Sequence, residues 1–335
     1  MTFPLIPHPA WDILDSSKLD DFIGCPRYYF FAHILGWRVD QPAQDLWFGD
    51  CWHVGREYQM VNGYVEISGA FKAFLTKYRT KFPQSTDDIY IPKTPLAAMT
   101  GYVKYAEEFQ HELMDFEVVT DSDGRKLTEI SGTVPISDNR VLHYKMDSIV
   151  RQLSTGRIQS WDHKHTSFKW WQNPKWDNEY YLSLQNGTYT HCLYCLFPIN
   201  LVDGVSFRKI GFEYLKRGSA NRDPGFYAHI RNIDAFKNPD QMDVWLNNTL
   251  MIVEELDREM DHLHHCTEGD SVMLAFRQNP KHCTAYRGCQ FHDFCLSWKN
   301  PLQRCYQPEL GFKVEFWDPR ERVTTVHKDL EMWSR

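Results

Sequence analysis

The chain has 335 residues, 42% of them apolar, which is enough to bury a substantial core without disulfide staples. Its net charge of −7 excludes a protein that coats nucleic acid through a general positive field, although basic groups lining one groove stay compatible with it. No apolar run approaches the roughly 20 residues of a membrane helix, and the opening MTFPLIPHPAWDILD lacks the basic-then-apolar pattern of a secretory signal; a cytoplasmic protein with no membrane partner is expected.

In chain order, Ser16 and Ser17 can cap a first helix through Ile23. Gly24-Cys25-Pro26 interrupts it before a second helix over 27–35 stops at Gly36. Further helices are expected over 50–60, 68–80 and 95–115. Between 115 and 165 the pattern turns to a β meander, with strands over 116–120, 127–137, 140–150 and 157–165 separated by the turn signals Asp123-Gly124, Asp138-Asn139 and Ser154-Thr155-Gly156. Helix returns over 177–197, a strand over 206–215, and a long amphipathic helix over 240–266 whose stripe is Met242, Leu246, Thr249, Val253, Leu256, Met260 and Leu263. With no internal repeat or low-complexity tract, the expectation is one α/β (α+β) domain over 1–335 with helical insertions.

The chemistry concentrates in RIQSWDHKH. Strand alternation puts Asp162 and Lys164 on one face and Trp161 and His163 on the other. A turn centred between Ser154 and Thr155 sets Asp147 opposite Asp162, so two carboxylates and a lysine converge. Opposed like charges across strands are destabilising, and a cation offsets them; oxygen ligands at this density suit Mg2+ or Mn2+. Taken alone, an Asp-x-Lys strand reads more often as an ordinary ion pair, and His53 as an ordinary histidine.

Nine cysteines in such a chain point to metal or catalysis rather than disulfides. HCTAYRGCQFHDFC spaces Cys283, Cys289 and Cys295 at equal intervals, with Gly288 allowing a close backbone approach, and three thiolates there call for a fourth. Four thiolates can hold a cubane cluster or a structural zinc. Cys192 and Cys195 read as small buried side chains, His262, His264 and His265 as the cationic end of a helix, and Cys51 and Cys305 stay unassigned.

The elements SKLDDFIGCPRYYFFAHILGW, WFGDCWHVGRE, YKMDSIV, SWDHKHTS, QNGTY and the late cysteines follow one another in an order that resembles the RecB-like branch of the PD-(D/E)XK nuclease superfamily, over residues 16–295. The resemblance implies a restriction-endonuclease-like core, a mixed central sheet flanked by helices, with catalytic residues within 47–200. It implies His53, Asp147 and Asp162 as ligands of Mg2+ or Mn2+, Lys164 as the catalytic lysine, and Gln185 and Tyr189 as a Q-x-x-x-Y pair contacting substrate. Glu129 stands where some relatives carry a further acidic residue that supports the ligands or holds a second ion. Cys25 becomes the fourth thiolate, so that 16–36 and 280–296 form a clamp around a 4Fe-4S cluster, with zinc as the alternative.

Departures are Tyr144 in place of a small residue, His165 after the lysine, and Tyr286 where the family's first late gap usually ends in cysteine. The implied activity is a DNA exonuclease on single strands or duplex ends, working with a helicase or recombinase because no P-loop is present. The competing expectation is a catalytically silent DNA-binding adaptor of a repair, packaging or CRISPR-adaptation complex.

Overall fold

The computed structural model describes residues 5–41, 43–218, 221–284, 288–321 and 325–332, and Tyr286 lies outside them. In chain order the principal elements are α1 (Ser16–Gly24), α2 (Pro26–Tyr29), β1 (Trp37–Val39), α3 (Gln44–Asn62), α4 (Ile67–Tyr78), α5 (Pro95–Phe109), β2 (Phe116–Val118), β3 (Thr128–Ser137), β4 (Arg140–Gln152) and β5 (Ile158–Ser167). They continue with α6 (Phe168–Trp171), α7 (Pro174–Leu182), α8 (Leu184–Leu196), β6 (Val202–Leu215), β7 (Gly225–Phe236), α9 (Pro239–His265), α10 (His292–Ser297), β8 (Phe312–Val314) and β9 (Val326–His327). The protein is mixed α/β, and two compact units divide it: residues 1–41, 133–144 and 240–322 form one, and 42–132, 145–239 and 323–335 the other. None of the described helices is long and apolar enough to cross a membrane.

The second unit is built on a mixed sheet of order β7-β6-β5-β4-β3-β9, with β2 pairing on β4. β4–β5 and β6–β7 are antiparallel, whereas β5–β6 and β3–β9 are parallel. Ser148 pairs with Trp161 and Ile149 with Ser160, which is the register expected from the Ser154-Thr155 turn. The ladder ends there, one step short of the expected pairing of Asp147 with Asp162. Helices α3, α4 and α5 pack an aromatic core on one face, where Phe48, Trp52, Phe74, Tyr78 and Tyr102 meet Val150, Trp161, Ile210 and Phe212. Trp52 stacks on Tyr102 at 4.4 Å between ring centroids.

Sequence signals misplace some boundaries. The first helix is capped by Asp15, whose carboxylate accepts the Lys18 N–H at 2.8 Å, rather than by Ser16 or Ser17. The helix expected over 177–197 is two helices: Ser183, in an extended conformation, ends α7 and caps α8 by accepting the Asn186 N–H. β7 follows a polar turn and was not expected from the sequence.

In the first unit, Cys25 separates α1 from α2 with extended backbone, and α2 widens into a π-helical turn over Phe30–Ile34 before Gly36 reverses the chain at φ +66°. Phe31, Trp37, Phe294 and Trp298 pack edge to face or stacked around this turn. Of the expected α9 stripe, Met242, Thr249, Val253, Leu256 and Leu263 are buried and Leu246 and Met260 only half-buried, while Trp245 joins the buried set.

Candidate metal centre

Four elements of the second unit bring ionisable groups together. On α3, Gly49 lets the helix approach β5 closely: a Cβ there would lie 2.3 Å from the His165 ring. Glycine inside a helix costs about 1 kcal/mol relative to alanine, and here that cost gives backbone proximity one turn before His53. β3 contributes Glu129 in the left-handed region at φ +45°, a conformation that costs a side-chain-bearing residue about 1–3 kcal/mol and recurs at functional sites. β4 contributes Asp147, and β5 contributes Asp162 and Lys164.

The β4–β5 ladder stops at Ser148–Trp161. Just beyond it the Asp147 carboxylate fills the gap, its Oδ2 accepting the His163 backbone N–H at 2.7 Å and lying 3.0 Å from His53 Nδ1. Donor atoms of His53, Glu129 and Asp147 all fall within 4.8 Å of one another. Among the described residues this is the one such group of three or more histidine, cysteine or carboxylate side chains. Asp162 stands apart from it: its Oδ2 pairs with Lys164 Nζ at 2.7 Å, on a carboxylate only 2% exposed. The expected sharing of a face by Asp162 and Lys164 is thus observed, and Trp161 and His163 are buried among the core residues opposite.

Two neighbours of the group were not singled out from the sequence. Lys145 Nζ lies 2.7 Å from Glu129 Oε2, and its place two residues before Asp147 on the same strand face was the available signal. The other is the His163 main chain, which no side-chain pattern announces. Gln185 Nε2 donates to the Tyr189 hydroxyl at 2.9 Å, as their shared helical face requires, and that hydroxyl donates to the Lys145 carbonyl. The buried Tyr189 therefore braces the strand that carries Asp147.

The electrostatics follow from this crowding. Burial opposes charge on Asp147, yet the His53 imidazole and the His163 N–H outweigh it and hold its pKa well below the carboxylate range. Burial likewise opposes a charged His53, but Asp147 outweighs it and raises the histidine's pKa. Glu129 and Asp162 are both pushed up by burial, with the Asp147 charge adding to it and Lys145 or Lys164 opposing it. Three carboxylates thus face two lysines and one histidine. Their N and O donor set fits Mn2+ or Mg2+, with His53 making manganese the better match.

In the first unit, Cys25, Cys283, Cys289 and Cys295 lie near enough to influence one another's charge. Burial raises the Cys295 thiol to about 11; Arg27 opposes this, and Cys25, Cys289 and Cys283 add to it. Cys289 is raised by burial and by Cys25 and Cys283. The Asn279 N–H donates to Cys25 Sγ at 3.3 Å, and Cys289 N–H donates to the Cys283 carbonyl at 3.0 Å. Arg27, 4% exposed, sits beside Cys295 and Cys25, a cation placed to offset thiolate charge. Among the described residues no three cysteine sulfurs lie within 4.8 Å of one another. Four thiolates suit either a structural zinc or an iron–sulfur cluster. Cys192 is fully buried on α8. Comparison with protein-family models and with curated proteins gives no match.

Proposed function

We propose that the chain is a metal-dependent phosphodiesterase that cuts DNA, acting on single strands or duplex ends. The observation that carries this reading is the convergence of His53, Glu129 and Asp147 within 4.8 Å, beside a buried Asp162–Lys164 pair on the adjoining strand. His53, Glu129 and Asp147 would hold a Mg2+ or Mn2+ ion, and Asp162 either completes its shell or holds a second one. The cation would supply polarisation of the phosphoryl oxygen and charge neutralisation. Lys164, whose side chain is 24% exposed, presents its ammonium at the rim, where it orients the attacking water and stabilises charge on the phosphoryl oxygens. Asp162 holds that ammonium in place. Lys145 screens Glu129 from Asp147, and Tyr189 fixes the strand between them.

The cysteine set is read as the holder of a 4Fe-4S cluster with a structural role, closing a loop of 258 residues between Cys25 and Cys283. Any helicase or recombinase would be a separate partner.

The test uses anaerobically purified protein, end-labelled single-stranded DNA and manganese, with Asp147→Ala and Asp162→Ala prepared alongside. Cleavage by the wild type that both variants lose is the expected result. A folded, iron-containing wild type that binds DNA and never cuts it would replace this reading with that of a silent DNA-binding adaptor.

A further inference from the structure

We infer that Trp170, on the short turn of α6, is a base-stacking platform for single-stranded DNA entering the metal centre; the inference rests on the nuclease reading and names the part of the substrate that this turn grips. The parallel β5–β6 register pairs Asp162 with Phe207 and Lys164 with Lys209. Paired residues on neighbouring strands point to the same sheet face, so Lys209 stands beside the Lys164 side chain rather than behind it.

Lys209 is fully buried, and its Nζ donates to the Trp171 carbonyl at 2.9 Å. Arg231 Nη2 donates to the same carbonyl at 2.7 Å, and both cations pair with Asp177. The α6 turn is therefore pinned by its backbone to the strand next to the catalytic lysine. Close packing adds to this, because a Cβ on Gly211 would lie 2.5 Å from the Trp171 Cβ.

A turn fixed this firmly leaves one large ring turned outward. Trp170 is 47% exposed, and among the described residues its indole makes no ring contact or hydrogen bond. Lys169, next to it in sequence, and Lys175, five residues on, are also exposed. Exposed indole with lysines close in sequence matches a nucleic-acid strand, whose bases stack on aromatic faces while its phosphates attract the cations. Trp170 lies six positions after Lys164, an upper reach of about 20 Å along extended chain. That places the stacked base within a few nucleotides of the bond to be cut. A rigid aromatic loses little conformational entropy on binding, and this turn is already ordered.

The test compares wild type, Trp170→Ala and Trp170→Phe, each with its cluster intact and with divalent ions chelated. Two probes are used: a fluorescent oligothymidylate a dozen nucleotides long, and an abasic oligonucleotide of the same length and charge. Loss of one base–aromatic stack is expected to weaken oligothymidylate binding by Trp170→Ala about 5-fold to 150-fold, with Trp170→Phe retaining most of the affinity. Neither variant should differ from wild type on the abasic probe. Equal losses on both probes, or no loss on either, overturn the stacking role. If Asp162-dependent cleavage persists in that case, the nuclease reading stands and this inference alone falls; a wild type that binds neither probe and cuts nothing overturns both.

Discussion

His53 Nδ1 and Asp147 Oδ2 lie 3.0 Å apart, joining the middle of a helix to the splayed end of a strand hairpin with Glu129 beside them. Each residue fixes the other's charge state, so they should act as one unit in binding a cation. His53→Ala and Asp147→Asn are each expected to weaken Mn2+ binding by at least about 10–100-fold. The melting temperature of the wild type should rise with added manganese, since a ligand bound only by the folded state stabilises it, and that rise should vanish in either variant. Scanning calorimetry checks this; a double variant much worse than either single one would contradict the coupling.

Glu129 holds a left-handed backbone that favours asparagine over alanine. Glu129→Asn should therefore melt above Glu129→Ala by about 1 kcal/mol in stability, while both lose manganese affinity. Chemical denaturation of the two purified variants gives the comparison.

At Gly49 an added Cβ meets the tip of His165 rather than backbone. Gly49→Ala should push α3 outward, lower cleavage more than stability, and be rescued by His165→Ala, which clears the space. Failure of the second substitution to restore activity would mean that the spacing of α3 from β5 does not govern the site.

For the cysteine clamp, Cys25→Ser and Cys283→Ser should each lower iron content and melting temperature before they affect chemistry. Iron analysis and a visible absorption spectrum on the anaerobic protein provide the measurement; unchanged iron in both would remove these residues from the ligand set.

His33 is 4% exposed and pairs with Asp21 at 2.8 Å, and burial holds its pKa below the ordinary 6.5 despite that partner. Below pH 6.5 the unfolded chain takes up a proton that the folded one resists, so this group's contribution to stability is lost as pH falls. The slope is at most about 1.4 kcal/mol per pH unit. His33→Gln should flatten the acid side of the stability curve relative to wild type, as measured by denaturant titrations between about pH 7 and pH 5.

Local patterning carried much of the fold. The Ser148–Trp161 register was legible because Ser154-Thr155-Gly156 fixes the centre of one turn and strand geometry does the rest, whereas the ladder ends one step short of Asp147 and Asp162. The Asp162–Lys164 pair followed from period-two alternation, and the Gln185–Tyr189 contact from i, i+4 spacing. Which carboxylate meets His53 was not legible. It depends on the left-handed twist at Glu129 and on how closely α3 approaches β5, both consequences of packing between segments far apart in sequence. The missed cap at Asp15 has a similar cause: Asp15 is also held by the Trp317 indole N–H, a partner 302 residues away.

The separation of Cys25 from Cys283 sets a timetable for biosynthesis. At about 5–20 residues per second, a ribosome needs on the order of ten seconds to a minute to make the intervening 257 residues. Throughout that interval the Cys25 thiol has emerged without its three partners and is open to oxidation. If these four cysteines hold the proposed cluster, its assembly would be a late, post-synthetic event favouring an anaerobic or thiol-rich setting, and aerobic overexpression would then yield a colourless, less stable protein even when every codon has been read correctly.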